Sequence, residues 1–231
     1  MEIYQIKMDI VLKREVKYKQ SMDFISKNVN RILYNSLLLR SLHESKGFKP
    51  YVVGSMGKSE PDKRYVPNKK YTLSIRSIDS GFVQEFERAA KGANRLDFDI
   101  KNIDVRRLSF SPVTKLYTIT PAVMTLSQNR YWTSEDDIGA LIKGVKENLI
   151  KKYRHFFKKE ITPASDFINY FELHNNKPIV FEYKKGKILA NRFTFAFAPD
   201  SVSQELAKLA FGVGILEKNP QGFGMVVRGK E

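Results

Sequence analysis

Tyr4-Gln5-Ile6-Lys7-Met8-Asp9-Ile10-Val11-Leu12 sets an apolar side chain at every second position. Tyr4, Ile6, Met8, Ile10 and Leu12 share one face, and Gln5, Lys7 and Asp9 lie opposite. A period of two is the mark of a half-buried strand. Working outward, a helix is expected from about Ser21, as its N-cap, to Leu42. Ile25, Val29, Ile32 and Leu33 supply its apolar face, and Gly47 stops it. Tyr51-Val52-Val53 reads as a short strand. Residues 57–70 carry two prolines and many charges, which suggests a mobile loop.

Alternation returns at Tyr71, Leu73 and Ile75. Asp79-Ser80 can cap a helix carrying Phe82, Phe86, Ala89 and Ala90, and Leu96, Phe98 and Ile100 open another strand. The order strand, helix, strand, strand, helix, strand is the ferredoxin-like pattern also used by RNA-recognition modules.

The second half reads the same way. Leu116, Ile119 and Val123 lie in strand-like sequence. Thr133-Ser134 is expected to cap a helix with Glu135, Asp136 and Asp137 in its first turn, where negative charge suits the helix dipole. Its stripe is Ile138, Leu141, Ile142, Val145 and Leu149. Ile179–Phe181 and Ile188–Phe197 are expected to form a hairpin around Lys184-Lys185-Gly186-Lys187. A short helix from Ser201 to about Phe211, a glycine-rich loop and a strand at Met225-Val226-Val227 follow. The reading is therefore an α+β chain of two tandem ferredoxin-like (RRM-like) βαββαβ subdomains, residues 1–111 and 112–231, joined near Ser111-Pro112.

The 231 residues can bury a real core. Forty Lys and Arg against 25 Asp and Glu give a net charge of +15, which points to a polyanionic partner, nucleic acid before an anionic membrane. The absence of Cys excludes disulfides, thiolate metal sites and Cys nucleophiles. No apolar run is long enough to span a bilayer and the first residues lack a signal core, so a cytoplasmic protein is expected.

Two glycine-containing stretches need separate treatment. Gly54-Ser55-Met56-Gly57-Lys58-Ser59 has two residues between its glycines where a P-loop needs four, and a proline follows instead of a helix. The other runs from Gly212-Val213-Gly214 to Gly222-Phe223-Gly224-Met225, with Lys218 between. It follows a helix and precedes a strand, so it is no dinucleotide fingerprint. Glycines permit close backbone approach, and free amides in such a loop can hold phosphates.

This glycine-rich run resembles the signature of the CRISPR precursor-RNA endoribonucleases, sixth in the Cas naming scheme. Leu42-His43-Glu44-Ser45-Lys46-Gly47-Phe48-Lys49-Pro50-Tyr51 resembles that family's segment after the first helix, where a catalytic His sits. The resemblance covers the whole chain and implies the tandem ferredoxin-like fold. It implies that His43 is catalytic, with Lys46, Lys49 and Tyr34 as candidate neighbours. Tyr34 is nine positions before His43, about half a turn around an ideal helix, and shares the site only if the helix ends first.

The chemistry fits these residues. RNA carries its own nucleophile, the 2′-OH, so a protein has to move protons and steady the phosphate. Histidine titrates near neutrality and serves as base or acid, and cations stabilise the phosphorane. No metal or other cofactor is required. There are three histidines, His43, His155 and His174. The expected activity is metal-independent cleavage of repeat RNA in precursor crRNA, leaving a 2′,3′-cyclic phosphate and a 5′-OH. The alternative is a non-catalytic repeat-RNA-binding protein of the same fold.

RNA contacts are expected from Gly212, Gly214, Lys218, Gly222, Gly224, Arg192, Lys185 and Lys187, while Lys151-Lys152 with Arg154 reads as a solvated face. Partners beyond RNA would be other CRISPR effector subunits, and association of two chains stays open.

Overall fold

The computed structural model of the chain describes residues 1–109, 111–112, 115–126 and 130–229. The first half contains β1 (Ile3–Leu12), β2 (Val16–Lys17), α1 (Ser21–Leu33), α2 (Leu37–Glu44), β3 (Tyr51–Val53), β4 (Arg64–Tyr65), β5 (Lys70–Ser77), α3 (Ser80–Lys91) and β6 (Phe98–Leu108). The alternation in β1 becomes register. Ile6 lies between Ile75 and Val105, and Met8 between Leu73 and Ile103, in an antiparallel sheet of order β3-β5-β1-β6. Ile6, Met8 and Ile10 are buried beneath the helices, as a period of two requires.

The helix expected from Ser21 to Leu42 is two helices. Gln20 takes the N-cap position of α1, and the Ser21 hydroxyl donates to the Tyr18 carbonyl. The chain leaves the helix at Tyr34. Ser36 adopts an extended conformation (φ −134°, ψ 130°) and its hydroxyl accepts from the Leu39 amide, capping α2. A serine offering a side-chain acceptor three residues ahead starts a new helix more readily than it continues an old one. Asp79 caps α3 as expected. The polar stretch 57–70 is pinned: β4 pairs with β2, and buried Tyr65 donates to the Gly57 carbonyl.

The second half contains β7 (Lys115–Thr118), α4 (Ile138–Phe157), β8 (Ile168–Leu173), β9 (Ile179–Tyr183), β10 (Gly186–Ala190), β11 (Phe193–Phe197), α5 (Ser201–Val213) and β12 (Val226–Arg228). Its antiparallel sheet has the order β12-β7-β11-β8. With the β9–β10 ribbon set aside, chain order and spatial order repeat those of the first half, so both halves are ferredoxin-like. Residues 188–197 are not one strand: β10 pairs with β9, and β11 joins the main sheet beside β8. Helix α4 begins at Ile138 because Asp137 accepts from the Gly139 and Ala140 amides. Thr133 is occupied upstream, where its amide donates to Asp136.

The two cores exchange residues. Phe181 and Ile188 of the ribbon, with Phe223, lie in the core of the first half, while Ile3 of β1 lies in that of the second. Arg76 on β5, buried, donates to the carbonyls of Phe211 and Val226 and stacks on the Phe211 ring at 3.9 Å. Among the described residues, no helix is long and apolar enough to cross a membrane.

Candidate active site

His43 lies in the last turn of α2, half-buried. The break between α1 and α2 swings Tyr34 onto the same side, and the two rings meet edge to face at 5.7 Å. An uninterrupted helix would have kept them apart. Tyr34 is 48% exposed, and the Arg40 guanidinium lies over its ring at 5.1 Å. Arg40 also donates to Glu44 at 3.0 Å. Burial, and then the positive charge of Lys49, hold the His43 imidazole below its ordinary pKa, against a smaller opposite pull from Glu44. Near pH 7 the ring is therefore neutral, the form that can accept a proton.

Lys49 sits beyond the turn after α2. Its ammonium donates to the Leu42 carbonyl at 2.7 Å and to the Ser45 carbonyl and hydroxyl. It thus caps the C-terminus of α2, where cations belong. Burial lowers its pKa. Lys46 is exposed in the same turn. Lys184, at the tip of the β9–β10 ribbon, is near enough for its charge to bear on His43.

His155 of α4 packs against this turn from the other side. Its ring lies edge to face with Phe48 at 5.6 Å, and a Cβ on Gly47 would come within 2.8 Å of His155 Cε1. Gly47 also has φ +103°, so the turn needs glycine twice over. Burial and the charges of Lys158 and Lys49 lower the His155 pKa, while the Phe48 carbonyl raises it. His174 lies apart, just past the end of β8, 2.6 Å from the Thr194 hydroxyl.

The glycine-rich run is not an open anion cradle. Gly212 is buried in α5 against Ile78 and Ile3. Gly214, Gly222 and Gly224 are buried at positive φ. Their amides donate inside the protein: Gly214 to Ala210, Gly222 to Asn219 and Gly224 to Pro121. What these glycines approach closely is the protein itself. A Cβ on Gly224 would lie 2.3 Å from the Ile215 carbonyl oxygen, and one on Gly54 would meet Met225 of this run at 2.9 Å. Lys218, half-buried with φ +59°, turns the chain between them.

Lys152 is no part of a solvated face. It is 2% exposed and donates to the carbonyls of Gly214 (2.8 Å) and Leu216 (3.1 Å) and to Asn219 Oδ1 (2.7 Å). Sequence reasoning missed it, although it continues the stripe Leu141, Val145, Leu149 at helical spacing.

Among the other expected RNA contacts, Lys185 and Lys187 are exposed on the ribbon beyond Tyr183. Arg192 is half-buried, and its guanidinium reaches the Tyr18 hydroxyl at 3.4 Å. It helps line an open cavity of about 780 Å³ with Tyr18, Lys63 and His174.

Fold and site together define an α+β protein of two ferredoxin-like halves with a histidine, a tyrosine and a lysine gathered at their junction. The family model described as "CRISPR associated protein Cas6, C-terminal" matches residues 103–227, more than half of the chain, and the chain belongs to this family. No curated protein sequence matches it.

Solved structures share its fold. One titled "CRISPR associated protein Cas6" has a TM-score of 0.72 at 17% identity over 99% of this chain and 100% of that one. The product of a Cas6-related gene from Pyrococcus furiosus has 0.71 at 17% identity, over 99% of both chains. A Cas6 product complex has 0.66 at 15% identity, over 98% of this chain and 99% of that one.

Proposed function

We propose that this chain is a metal-independent endoribonuclease that cuts CRISPR repeat RNA within precursor crRNA. The observation that carries the reading is His43, half-buried against the Tyr34 ring, with burial and the charge of Lys49 holding its pKa down. Neutral His43 takes the proton from the 2′-OH, and the 2′-oxygen attacks phosphorus. The bond to the 5′-oxygen breaks, and that oxygen takes the proton from the imidazolium, which restores neutral His43. The products are a 2′,3′-cyclic phosphate and a 5′-OH. Lys49 and Lys184 bring positive charge to the side where the phosphorane gains negative charge. Lys46 contributes from the exposed edge of the turn, and Tyr34 lends its ring and hydroxyl beside the imidazole.

Family membership supports RNA as the substrate, as does the net charge of +15. Lys185, Lys187, Arg192 and Lys218 serve the RNA backbone, and Gly212, Gly214, Gly222 and Gly224 shape the surface it meets. We assign residues 1–111 and 112–231 to the two subdomains and place the protein in the cytoplasm. Other CRISPR effector subunits and a second copy of the chain are its further partners.

The test is single-turnover cleavage of repeat RNA in EDTA, with wild type and the alanine variants of His43, His155 and His174. His43→Ala is expected to slow cleavage by roughly two or more orders of magnitude while RNA binding persists. A 2′-deoxy substitution at the scissile nucleotide should block cutting. Full activity of His43→Ala, or cleavage of the deoxy substrate, would refute the mechanism. Binding without any cleavage would leave a repeat-RNA-binding protein.

A further inference from the structure

We infer that the glycine-rich run is a carbonyl cage closed around the Lys152 ammonium, and that Lys152 is a positioning residue for the catalytic turn. The positioning role rests on the endoribonuclease reading above.

Three oxygens converge on Lys152 Nζ, those of Gly214, Leu216 and Asn219, all within 3.1 Å. Three N–H donors meet three acceptors, the full capacity of an ammonium. The same Asn219 side chain donates to the Ile215 carbonyl at 2.8 Å and to the Phe223 carbonyl at 3.0 Å. The loop is thus folded round one side-chain amide and one cation. Its glycines make this possible, since a Cβ on Gly214 would stand 2.7 Å from Asn219 Nδ2. Leu216, whose carbonyl is one of the three acceptors, also turns at positive φ. A nest of amides holds an anion. Here the sense is reversed: carbonyls face inward, and the cation they hold comes from the chain itself.

The cage reaches the catalytic turn by three contacts. Lys152 Nζ lies 5.9 Å from the Phe48 ring. Phe48 meets His155 edge to face, three residues further along α4 and so on the same face. The run also meets the strand that follows the turn: a Cβ on Gly214 would stand 2.9 Å from Val52 Cγ2. Phe48 immediately precedes Lys49, whose ammonium caps the helix bearing His43.

A hydrocarbon at position 152 would fill the space but leave three buried acceptors unmatched. Burial pulls the Lys152 pKa down to about 7, with Glu217 pulling the other way. The Glu217 carboxylate accepts from the Thr125 amide and hydroxyl, and His155 is the next titratable group along this face of α4.

The experiment compares wild type with Lys152→Met by amide exchange and by single-turnover cleavage. In the variant, protection factors at Ile215 and Gly224 should fall at least tenfold. With protein in excess, so that all repeat RNA is bound, cleavage should slow at least tenfold. In the wild type, those protection factors should also decline between pH 6 and 9 as the amine loses its third donor. Should Lys152→Met fail to fold, that decline decides for the cage, and Phe48→Leu, which keeps the cage but cuts its link to the turn, should still slow cleavage severalfold. Unchanged protection and rate in a folded Lys152→Met would overturn the inference, as would a Phe48→Leu variant as fast as wild type. A wild type that cuts no RNA would refute the proposed function, and the exchange measurements would still judge the cage.

Discussion

At the scale of single residues, burial and a neighbouring charge act together on one imidazole. His43 is kept below its ordinary pKa by burial and by Lys49. The acid limb of the pH–rate profile, where the base becomes protonated, should therefore lie below about 6.5, the ordinary histidine value. Lys49→Met removes a positive neighbour, so protonating His43 becomes easier. The limb should move to higher pH as the rate falls, and single-turnover rates from pH 5 to 8 would show it. A limb that stays in place would mean Lys49 does not act on His43. Gly224 makes a different kind of demand. Its φ of +73° and the 2.3 Å approach of a Cβ to the Ile215 oxygen leave no room for a side chain. Gly224→Val should destabilise the protein by more than about 2 kcal/mol, through backbone strain and overpacking together. Urea titration reads this directly, and a variant of wild-type stability would contradict the packing described.

At the scale of elements, what was legible followed from periodicity. Alternation found β1 and β5, and Asp79 announced α3. Local competition hid the rest. Ser36 lies in a run of good helix formers, Leu37-Leu38-Leu39, yet its hydroxyl caps a new helix and so delivers Tyr34 to His43. In the second half, Asp137 outcompetes Thr133-Ser134 as the cap, because the Thr133 hydroxyl donates to Asp136 and that of Ser134 to the Asn176 carbonyl. Asp137→Ala should cost about 1 kcal/mol, visible as a lowered midpoint in thermal or urea unfolding. Strand β8 went unread because its burial alternates weakly, with only Ile168 buried. Among candidate site residues, family resemblance pointed to His43 with Tyr34, Lys46 and Lys49, and the structure brings the Tyr34 ring against His43. The burial of Lys152 was not, because a lysine on an apolar stripe reads as snorkelling until the acceptors around it are known.

At the scale of the whole molecule, the two sheets are separate but the cores are not. Phe181, Ile188 and Phe223 complete the core beneath the first sheet, Ile3 completes the other, and Arg76 fastens β5 to α5 and β12. Two ferredoxin-like halves joined by a linker would unfold in two steps. This chain should unfold in one, with equal calorimetric and van't Hoff enthalpies. Two resolved transitions would show that the exchange of residues carries little energy.

The same exchange bears on the order in which the protein comes into being. Domains generally fold as units during synthesis, the earlier part first. Here the first half can form its sheet but cannot finish its interior, because that interior awaits Phe181, Ile188 and Phe223. The buried Arg76 likewise waits for Val226 to be made before it finds its second carbonyl. A nascent chain bearing His43 thus has an incomplete first core while the second half is being translated.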